Sequence, residues 1–149
     1  MAAELDYSAL TDRIAELLRE DGRLRDVYIT TELIPQSAER MPAVLVSLVR
    51  ADREPFQIAA PYPTGSPDRL TIRFILAVWT FSAQSVADGL TQRNDVVRRV
   101  VNVLRDNIQP RGDILTFLVT GIDFTSQRNE ETGSVYGHAQ ITCEAVALN

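Results

Sequence analysis

Residues 70–82 read LTIRFILAVWTFS, and this stretch decides the fold of the 149-residue chain. Side chains of an extended strand alternate between two faces. One face then carries the even-numbered residues from Leu70 to Thr80, and the other carries the odd-numbered residues from Thr71 to Phe81. Beyond Arg73 both faces are apolar, as in a strand that is buried on both sides. Helices of the same chain can cover one face, and the other face needs a second cover.

Two amphipathic helices flank this strand. In residues 7–20 apolar side chains recur at helical spacing, with Asp6 placed to cap the first turn and Gly22 to stop the last. The second helix is predicted at residues 86–107, with Ser85 as its cap. Its spacing predicts a buried stripe of Leu90, Val97, Val101, Leu104 and Ile108, flanked by Val96, Val100 and Val103.

Four more β-rich segments complete the pattern, at residues 27–33, 43–50, 114–125 and 135–148. Prolines interrupt residues 51–69, which we therefore predict to be a loop. The polar residues 127–134 join the last two strands as a hairpin tip. The order is helix, three strands, helix, two strands. We predict one α+β domain over residues 1–149, with a mostly antiparallel sheet of four to five strands and two helices packed on one face.

Composition argues against several classes of function. The formal net charge is −5, which disfavours tight non-specific binding to nucleic acid because that binding needs clustered basic residues. A single cysteine excludes an internal disulfide, and a single histidine disfavours a histidine metal site. The first residues lack the basic start of a signal peptide, and no apolar run approaches the ~20 residues of a membrane span. We expect folding in a reducing cytoplasm, without a membrane segment.

The sequence offers few candidates for catalysis. It lacks the GxGxxG, P-loop, HExxH and GxSxG motifs. His138 is the one available imidazole base, and its place in mid-strand also fits a polar residue on a half-exposed face. Cys143 falls on the same side of its strand as Ala139, Ile141 and Ala145, which is typical of a small core residue. We expect no enzyme activity, no metal and no cofactor.

Asp123 is the most unusual acid, because it interrupts an apolar strand beside Gly121. Three interpretations stay open: a catalytic acid, the partner of an arginine, or a mark of the exposed edge of the strand. If the chain were a small-ligand-binding or enzymatic domain, His138, Asp123 and Arg73 would converge on a concave site.

The apolar content of the strands predicts assembly. Residues 44–49, 73–81 and 114–124 carry apolar groups that we expect on both faces of the sheet. Two helices leave one of these faces uncovered, and a soluble monomer rarely exposes so large an apolar patch. Burial against other copies of the chain is the economical explanation.

Several stretches support a more specific hypothesis. They are the helix SALTDRIAELLRED, the strand PAVLVSLV before a proline-interrupted loop, the central strand, the helix DVVRRVVNVLRDN and the hairpin FLVTGIDFTSQRNEETGSVYGHAQITCEAVAL. In order and character, this layout resembles phage tail terminator proteins, including the tail-completion proteins of long-tailed phages. The resemblance runs across nearly the whole chain and rests on layout, without an invariant motif.

The resemblance implies a hexameric ring that caps the head-proximal end of the tail tube, stops tube growth and joins the tail to the neck. It implies other copies, the tail tube protein and a neck or connector protein as partners, with the sheath protein added in contractile tails. DNA passes through the lumen without being gripped. No catalytic residue or cofactor is implied, and the place is the virion after assembly in the host cytoplasm. The alternative in a virion is another neck component, a head-completion or stopper protein.

Three places would then carry the contacts. The proline-rich loop reaches a neighbour or simply packs on its own surface, and the hairpin tip contacts an adjacent ring or is only solvated. The second face of the central strand meets a neighbouring copy. The predicted interface residues are Arg53, Phe56, Tyr62, Trp79, Phe81, Arg128, Asn129, Glu130 and Glu131.

Overall fold

The computed structural model describes residues 6–32, 41–55, 68–107 and 114–148. These residues form two α-helices, a short 3-10 helix and five β-strands, in the predicted order and in the predicted α+β class. The elements are α1 (Tyr7–Glu20), the 3-10 helix (Gly22–Leu24), β1 (Tyr28–Thr30), β2 (Ala43–Pro55), β3 (Asp68–Ser82), α2 (Val86–Asp106), β4 (Ile114–Arg128) and β5 (Val135–Leu148).

The five strands form one mixed sheet in the order β1-β2-β3-β5-β4. The short strand β1 pairs with β2 in parallel, and every other neighbouring pair is antiparallel. β5 therefore lies between β3 and β4, although it follows both in the chain. The prediction of a mostly antiparallel sheet is confirmed.

Side chains alternate between the two faces of the central strands, as the sequence predicts. Even-numbered residues of β3 from Leu70 to Ser82 are buried, and so are the odd-numbered residues of β5 from Val135 to Ala147. The buried residues of α1 and α2 share one core cluster with them, so both helices pack on this side. We call this side the helix face and the opposite side the open face.

Both helices begin at the predicted caps. Asp6 Oδ1 accepts hydrogen bonds from the backbone N–H groups of Ser8 and Ala9, at 2.9 and 3.2 Å. Ser85 Oγ accepts one from the backbone N–H of Asp88, at 3.1 Å. Each side chain satisfies donors that have no partner within the helix.

The predicted end of α1 at Glu20 is confirmed, but Gly22 does not act as a glycine C-cap. The helix ends at Glu20, because Asp21 takes an extended backbone conformation. The Asp21 carboxylate then caps the following 3-10 helix by accepting from the N–H of Arg23. Gly22 lacks the positive φ of a glycine C-cap.

The buried side of α2 includes Val97 and Leu104 of the predicted stripe and all three predicted flanking valines, but it is rotated toward Gly89 and Arg93. Leu90 and Val101 are only half-buried, and Ile108 lies outside the described residues. The buried residues are Gly89, Arg93, Val96, Val97, Val100, Val103 and Leu104. The small residues Gly89 and Gly137 explain this rotation, because they let this side of α2 approach β5 closely.

The predicted loop at residues 51–69 is paired strand at both ends. β2 continues to Pro55 and β3 begins at Asp68, in register from the pair Arg50–Arg73 to the pair Pro55–Asp68. Backbone pairing tolerates polar side chains where a sheet extends beyond its core, so the sequence pattern underestimates strand length there. Residues 56–67 lie outside the described part of the chain.

The remaining boundaries differ less. β4 continues to Arg128 instead of residue 125, and α2 ends at Asp106, one residue before the predicted end. β1 covers only Tyr28–Thr30 within the predicted segment 27–33. These three residues pair with Ala43–Leu45 of β2.

Candidate functional site

The open face of the sheet is the candidate functional site. Both helices lie on the helix face, so no helix among the described residues covers the open face. Most of its central side chains are half-buried, with Arg73 exposed. They are Thr71, Arg73, Ile75, Ala77, Trp79 and Phe81 on β3, and Tyr136, His138, Gln140, Thr142, Glu144 and Val146 on β5.

Two aromatic pairs lie at one end of the open face. The strand register places Trp79 opposite His138 and Phe81 opposite Tyr136. The ring centroids are 4.2 Å apart in the first pair and 5.0 Å apart in the second. Cross-strand aromatic pairs stabilise a sheet and present a large, rigid contact surface. We call these four residues the aromatic cluster.

The environment of His138 favours its neutral form. Its Nδ1 lies 3.1 Å from Thr125 Oγ1, and its ring packs against Trp79. Burial lowers the pKa of His138 below its ordinary value because the protonated ring loses hydration. A ring that is neutral at pH 7 contributes apolar contact surface to the aromatic cluster.

Trp79 and Phe81 were predicted for this surface from the sequence, whereas Tyr136 and His138 were not. The alternation in β5 places Tyr136 and His138 on one face, and this part of the arrangement can be read from the sequence. Only the β3–β5 register, which sets both residues opposite the aromatic residues of β3, reveals the cluster.

The rest of the open face is more polar than predicted. Arg73 Nη2 lies 3.3 Å from Glu144 Oε1, across β3 and β5. On β4 the open face carries Leu118, which is 58% exposed, and then Gly121 and Asp123. The prediction of apolar groups on both faces therefore holds for β3. It holds only in part for β2 and β4, where Leu45 and Leu118 are the described large apolar side chains that register places on the open face.

A β-bulge explains the error on β4. The register with β5 shifts between Val119 and Gly121, which leaves Thr120 without an opposite residue. Because the extra residue changes the phase of the strand, Val119 and Ile122 both face the helices. Asp123 is then exposed, which agrees with the exposed-edge interpretation.

The hairpin tip lies at the same end of the sheet as the aromatic cluster. Asn129 Oδ1 accepts hydrogen bonds from the backbone N–H groups of Glu131 and Thr132, at 3.0 and 3.3 Å. Gly133 has a φ of 73°, which a glycine adopts without strain. Asn129 thus shapes the turn, while Arg128 and Glu130 are exposed for contact.

Arg93 connects α2 to the same end of the sheet from the helix face. Its guanidinium lies 4.9 Å from the ring centroid of Phe124, and Nη1 donates to the carbonyl oxygen of Thr125 at 2.8 Å. Only 9% of its surface is exposed. Sequence reasoning missed this residue, although its spacing from Gly89, Val96 and Val100 places it on the buried side of the helix.

The structure does not bring all the predicted interface residues together. Arg53 pairs with Leu70 at the other end of β3, about 35 Å from Phe81 at the rise of an extended strand. This pairing also places Arg53 on the helix face, away from the aromatic cluster. Phe56 and Tyr62 lie outside the described residues.

Of the residues of the alternative ligand site, Arg73 lies far from the other two. Arg73 and His138 are about 20 Å apart along the sheet, because Arg73 pairs with Glu144, six residues along β5 from His138. Asp123 lies diagonally across from His138, on β4. In the described segments, no group of His, Cys, Asp and Glu side chains is placed to hold a metal ion.

Cys143 lies in the core, as the sequence predicts. It is 1% exposed, and burial raises the pKa of its thiol to about 12.

Neither described helix combines the length and the hydropathy that crossing a membrane would take.

Comparison with known proteins bears on the fold. No protein-family model and no curated protein sequence matches the chain. Among solved structures, a chain from the virion of a native gene transfer agent (GTA) particle matches with a TM-score of 0.52. The match covers 91% of this chain and 92% of that chain, at 16% sequence identity. The two chains are therefore similar in fold over nearly their whole lengths.

Proposed function

We propose that this chain is a structural virion protein whose copies form a ring at the head-proximal end of a phage tail tube. The ring stops tube growth and joins the tail to the neck. One observation carries the proposal: the fold likeness, over nearly all of both chains, to a chain of a gene transfer agent virion, a phage-like particle. The order of elements in the sequence, which resembles that of tail terminators, adds to it.

The open face supports a role in assembly. It presents the aromatic cluster beside the exposed hairpin tip, with no described helix over it. Rigid aromatic residues beside a polar rim are typical of protein–protein contact surfaces. We propose that this end of the open face meets a neighbouring copy or the tube.

The remaining parts of the proposal follow from the tail terminator hypothesis. The ring is a hexamer, its partners are the tail tube protein and a neck protein, and a sheath protein is added if the tail is contractile. DNA passes through the lumen, and the net charge of −5 suits a wall that does not hold phosphates. The chain acts without catalysis and without a cofactor.

Tube growth gives the direct test. The purified chain is added to polymerising tail-tube protein from the same genome, and tube lengths and ends are measured by electron microscopy. We expect shorter tubes that carry a ring at one end. Unchanged tube lengths with bare ends, from a chain that light scattering shows to be monomeric, would contradict the proposal.

Variants of the aromatic cluster test the contact surface. Trp79→Asp and Phe81→Asp each place a charge in the cluster, and we expect both to weaken ring formation or tube binding at least as much as folding. Gln140→Arg adds a charge further along the same face, opposite Asp123, and is the matched control. If both cluster variants yield only unfolded aggregates, the cluster belongs to the core of the monomer.

Cross-linking separates the proposal from the nearest alternative. A tail terminator should cross-link to the major tube protein. Cross-links to portal-side proteins alone would assign the chain to the neck as a head-completion or stopper component.

A further inference from the structure

An apolar hollow lies between the last part of α2 and the strand β4. Its volume is about 210 Å³. The lining is apolar except for one arginine, and it consists of Val101, Leu104, Arg105, Phe117, Leu118, Val119 and Cys143. A cavity of about 150 Å³ already admits benzene, so this hollow has room for one large apolar side chain. We call it the α2–β4 hollow.

A second apolar site lies on the opposite side of the sheet, where the first turn of α1 packs beside the bulge of β2. Its lining residues are Tyr7, Leu48, Val49, Arg50, Ala51 and Ile72. Tyr7 is 37% exposed and Val49 is 54% exposed, so much of both side chains is open to contact. We call this site the Tyr7–Val49 patch.

The two sites lie at the same level of the sheet. The strand registers form one line of paired residues across β2, β3, β5 and β4, namely Arg50, Arg73, Glu144 and Leu118. Val49 is the bulged residue beside Arg50, so Val49 and Leu118 lie at opposite ends of this line. Leu118 is 58% exposed, and these two are the most exposed large apolar residues of the described chain. A contact that covers both would remove the most exposed apolar side chains from water.

The charges at the two sites are complementary. Arg105 is exposed at the α2–β4 hollow and makes no hydrogen bond or ion pair with any residue of the described ranges. Asp6 is exposed beside Tyr7, and its Oδ1 atom caps α1. A Tyr7 ring that entered the hollow would therefore bring a carboxylate toward an arginine that has no acidic partner in its own described chain.

We propose that the Tyr7–Val49 patch of one copy docks against the α2–β4 hollow of a second copy of this chain. The Tyr7 ring enters the hollow, and Val49 and Leu118 cover each other. The contact is head-to-tail because it joins two different sites, so each copy uses both of its sides. A contact between sites at one level need not shift successive copies along the strands, which suits a closed ring better than an open filament.

This contact deepens the proposed function and rests on its self-assembly. It joins copies side by side at the level of Arg73, about 20 Å along the strands from the aromatic cluster. The aromatic cluster and the hairpin tip then serve contacts with the tube or with an adjacent ring.

Paired charge variants test the contact. Val49→Arg and Leu118→Glu each place a charge against an apolar residue of the neighbouring copy, so each variant alone should assemble at least about tenfold more weakly than the parent. In an equal mixture the two kinds of copy can alternate. The introduced arginine then meets the introduced glutamate, and the unchanged valine and leucine meet at the next contact. The mixture should therefore assemble about as well as the parent.

Two measurements read the result. Native mass spectrometry counts the copies in solution, and electron microscopy of tail tubes gives the fraction of ends that carry a ring. Both positions are more than half exposed, so the variants should keep the circular dichroism and thermal midpoint of the parent. Val86→Glu is the matched control, because Val86 is an exposed apolar residue at the opposite end of α2 from the hollow, and it should form the same assembly as the parent.

Cysteine variants replace the charged ones if either of those loses the fold. Val49→Cys and Leu118→Cys copies are mixed and treated with a short bismaleimide, which should link position 49 of one copy to position 118 of another. Cys143 is buried and leaves the reaction to the introduced thiols. Links between like positions alone would contradict the head-to-tail contact.

The other outcomes separate this contact from the proposed function. Single charge variants that assemble like the parent overturn the contact and leave the proposed ring standing. Weak assembly that the mixture does not restore means that positions 49 and 118 do not meet, and it also overturns the contact. A parent chain that stays monomeric in solution and leaves tube ends bare overturns both proposals.

Discussion

Gly137 of β5 and Arg93 of α2 pack so closely that no methyl group fits between them. A Cβ at Gly137 would lie 2.9 Å from the Cβ of Arg93 and would also meet Thr80 Oγ1. Contacts this short do not occur between real side chains, so one of the two elements would have to move. The close approach explains how α2 holds the end of the sheet that carries the aromatic cluster and the hairpin tip.

The substitution Gly137→Ala should therefore destabilise the protein. We expect a loss of about 1–3 kcal/mol in the free energy of unfolding, because the extra carbon overfills a closely packed site. Urea unfolding measures the change. Gly121→Ala is the matched control, since a Cβ at Gly121 meets nothing within 4 Å, and its effect should stay below about 1 kcal/mol. Equal losses from the two variants would contradict the packing described here.

The substitution Arg93→Met should free the hairpin end of the sheet. Methionine keeps part of the apolar stem but loses the bond to the Thr125 carbonyl and the stacking on Phe124. We expect a loss of about 1–3 kcal/mol and faster amide exchange in the hairpin. Arg98→Met is the control, because Arg98 is exposed and pairs with Asp95, at 2.7 Å, within its own helix. Its loss should not exceed about 1 kcal/mol.

The stability of the fold should depend on pH through His138. Burial lowers the pKa of His138 in the folded state, so the unfolded chain binds a proton at higher pH than the folded chain does. The free energy of unfolding should then fall as the pH is lowered through the ordinary histidine pKa of about 6.5, and this loss should level off below the folded pKa. Urea unfolding between pH 8 and pH 5 measures it.

The chain contains a single histidine, so NMR titration of one imidazole gives the folded pKa directly. His138→Gln should remove the pH dependence in this window. A folded pKa above the ordinary value would contradict the burial of the ring against Trp79.

The thiol of Cys143 should be nearly unreactive in the folded protein. The side chain is 1% exposed, and burial raises its pKa to about 12. A thiol reagent at pH 8 should modify the native protein at least about a thousandfold more slowly than the urea-unfolded protein, because reaction requires opening of the core. Cys143 is the only cysteine, so the reaction reports a single site. Rapid modification of the native state would place Cys143 outside the core.

Local patterns in the sequence predicted much of this fold. The alternation around Phe74 in β3 and Ile141 in β5 is visible because the two-residue period of a strand matches the burial of every second side chain. Asp6 and Ser85 were recognisable as caps because the hydrogen bonds that they accept come from residues two or three positions away.

Contacts between distant segments could not be predicted in the same way. Trp79 meets His138 only because β3 pairs with β5. In the chain, α2 and β4 lie between these two strands. Arg93 is buried because an aromatic ring and a carbonyl oxygen from β4 receive its charged group, and a charged residue in a helix is otherwise expected in solvent. The bulge at Thr120 shifts the phase of β4, and its local mark is the adjacent Gly121, a residue that does not by itself fix where the phase changes.

The position of β5 in the sheet has a consequence for synthesis and folding. β5 follows every other described element in the chain, yet it fills the place between β3 and β4. Its pairing with β3 joins residues about 50 positions apart at the nearer end, whereas the β4–β5 hairpin is local. We expect the hairpin to form early and the β3–β5 pairing to limit the folding rate. A nascent chain that has not reached residue 135 leaves one side of β3 without its neighbouring strand. We expect the risk of aggregation to be highest at that stage, because an unpaired strand edge is exposed.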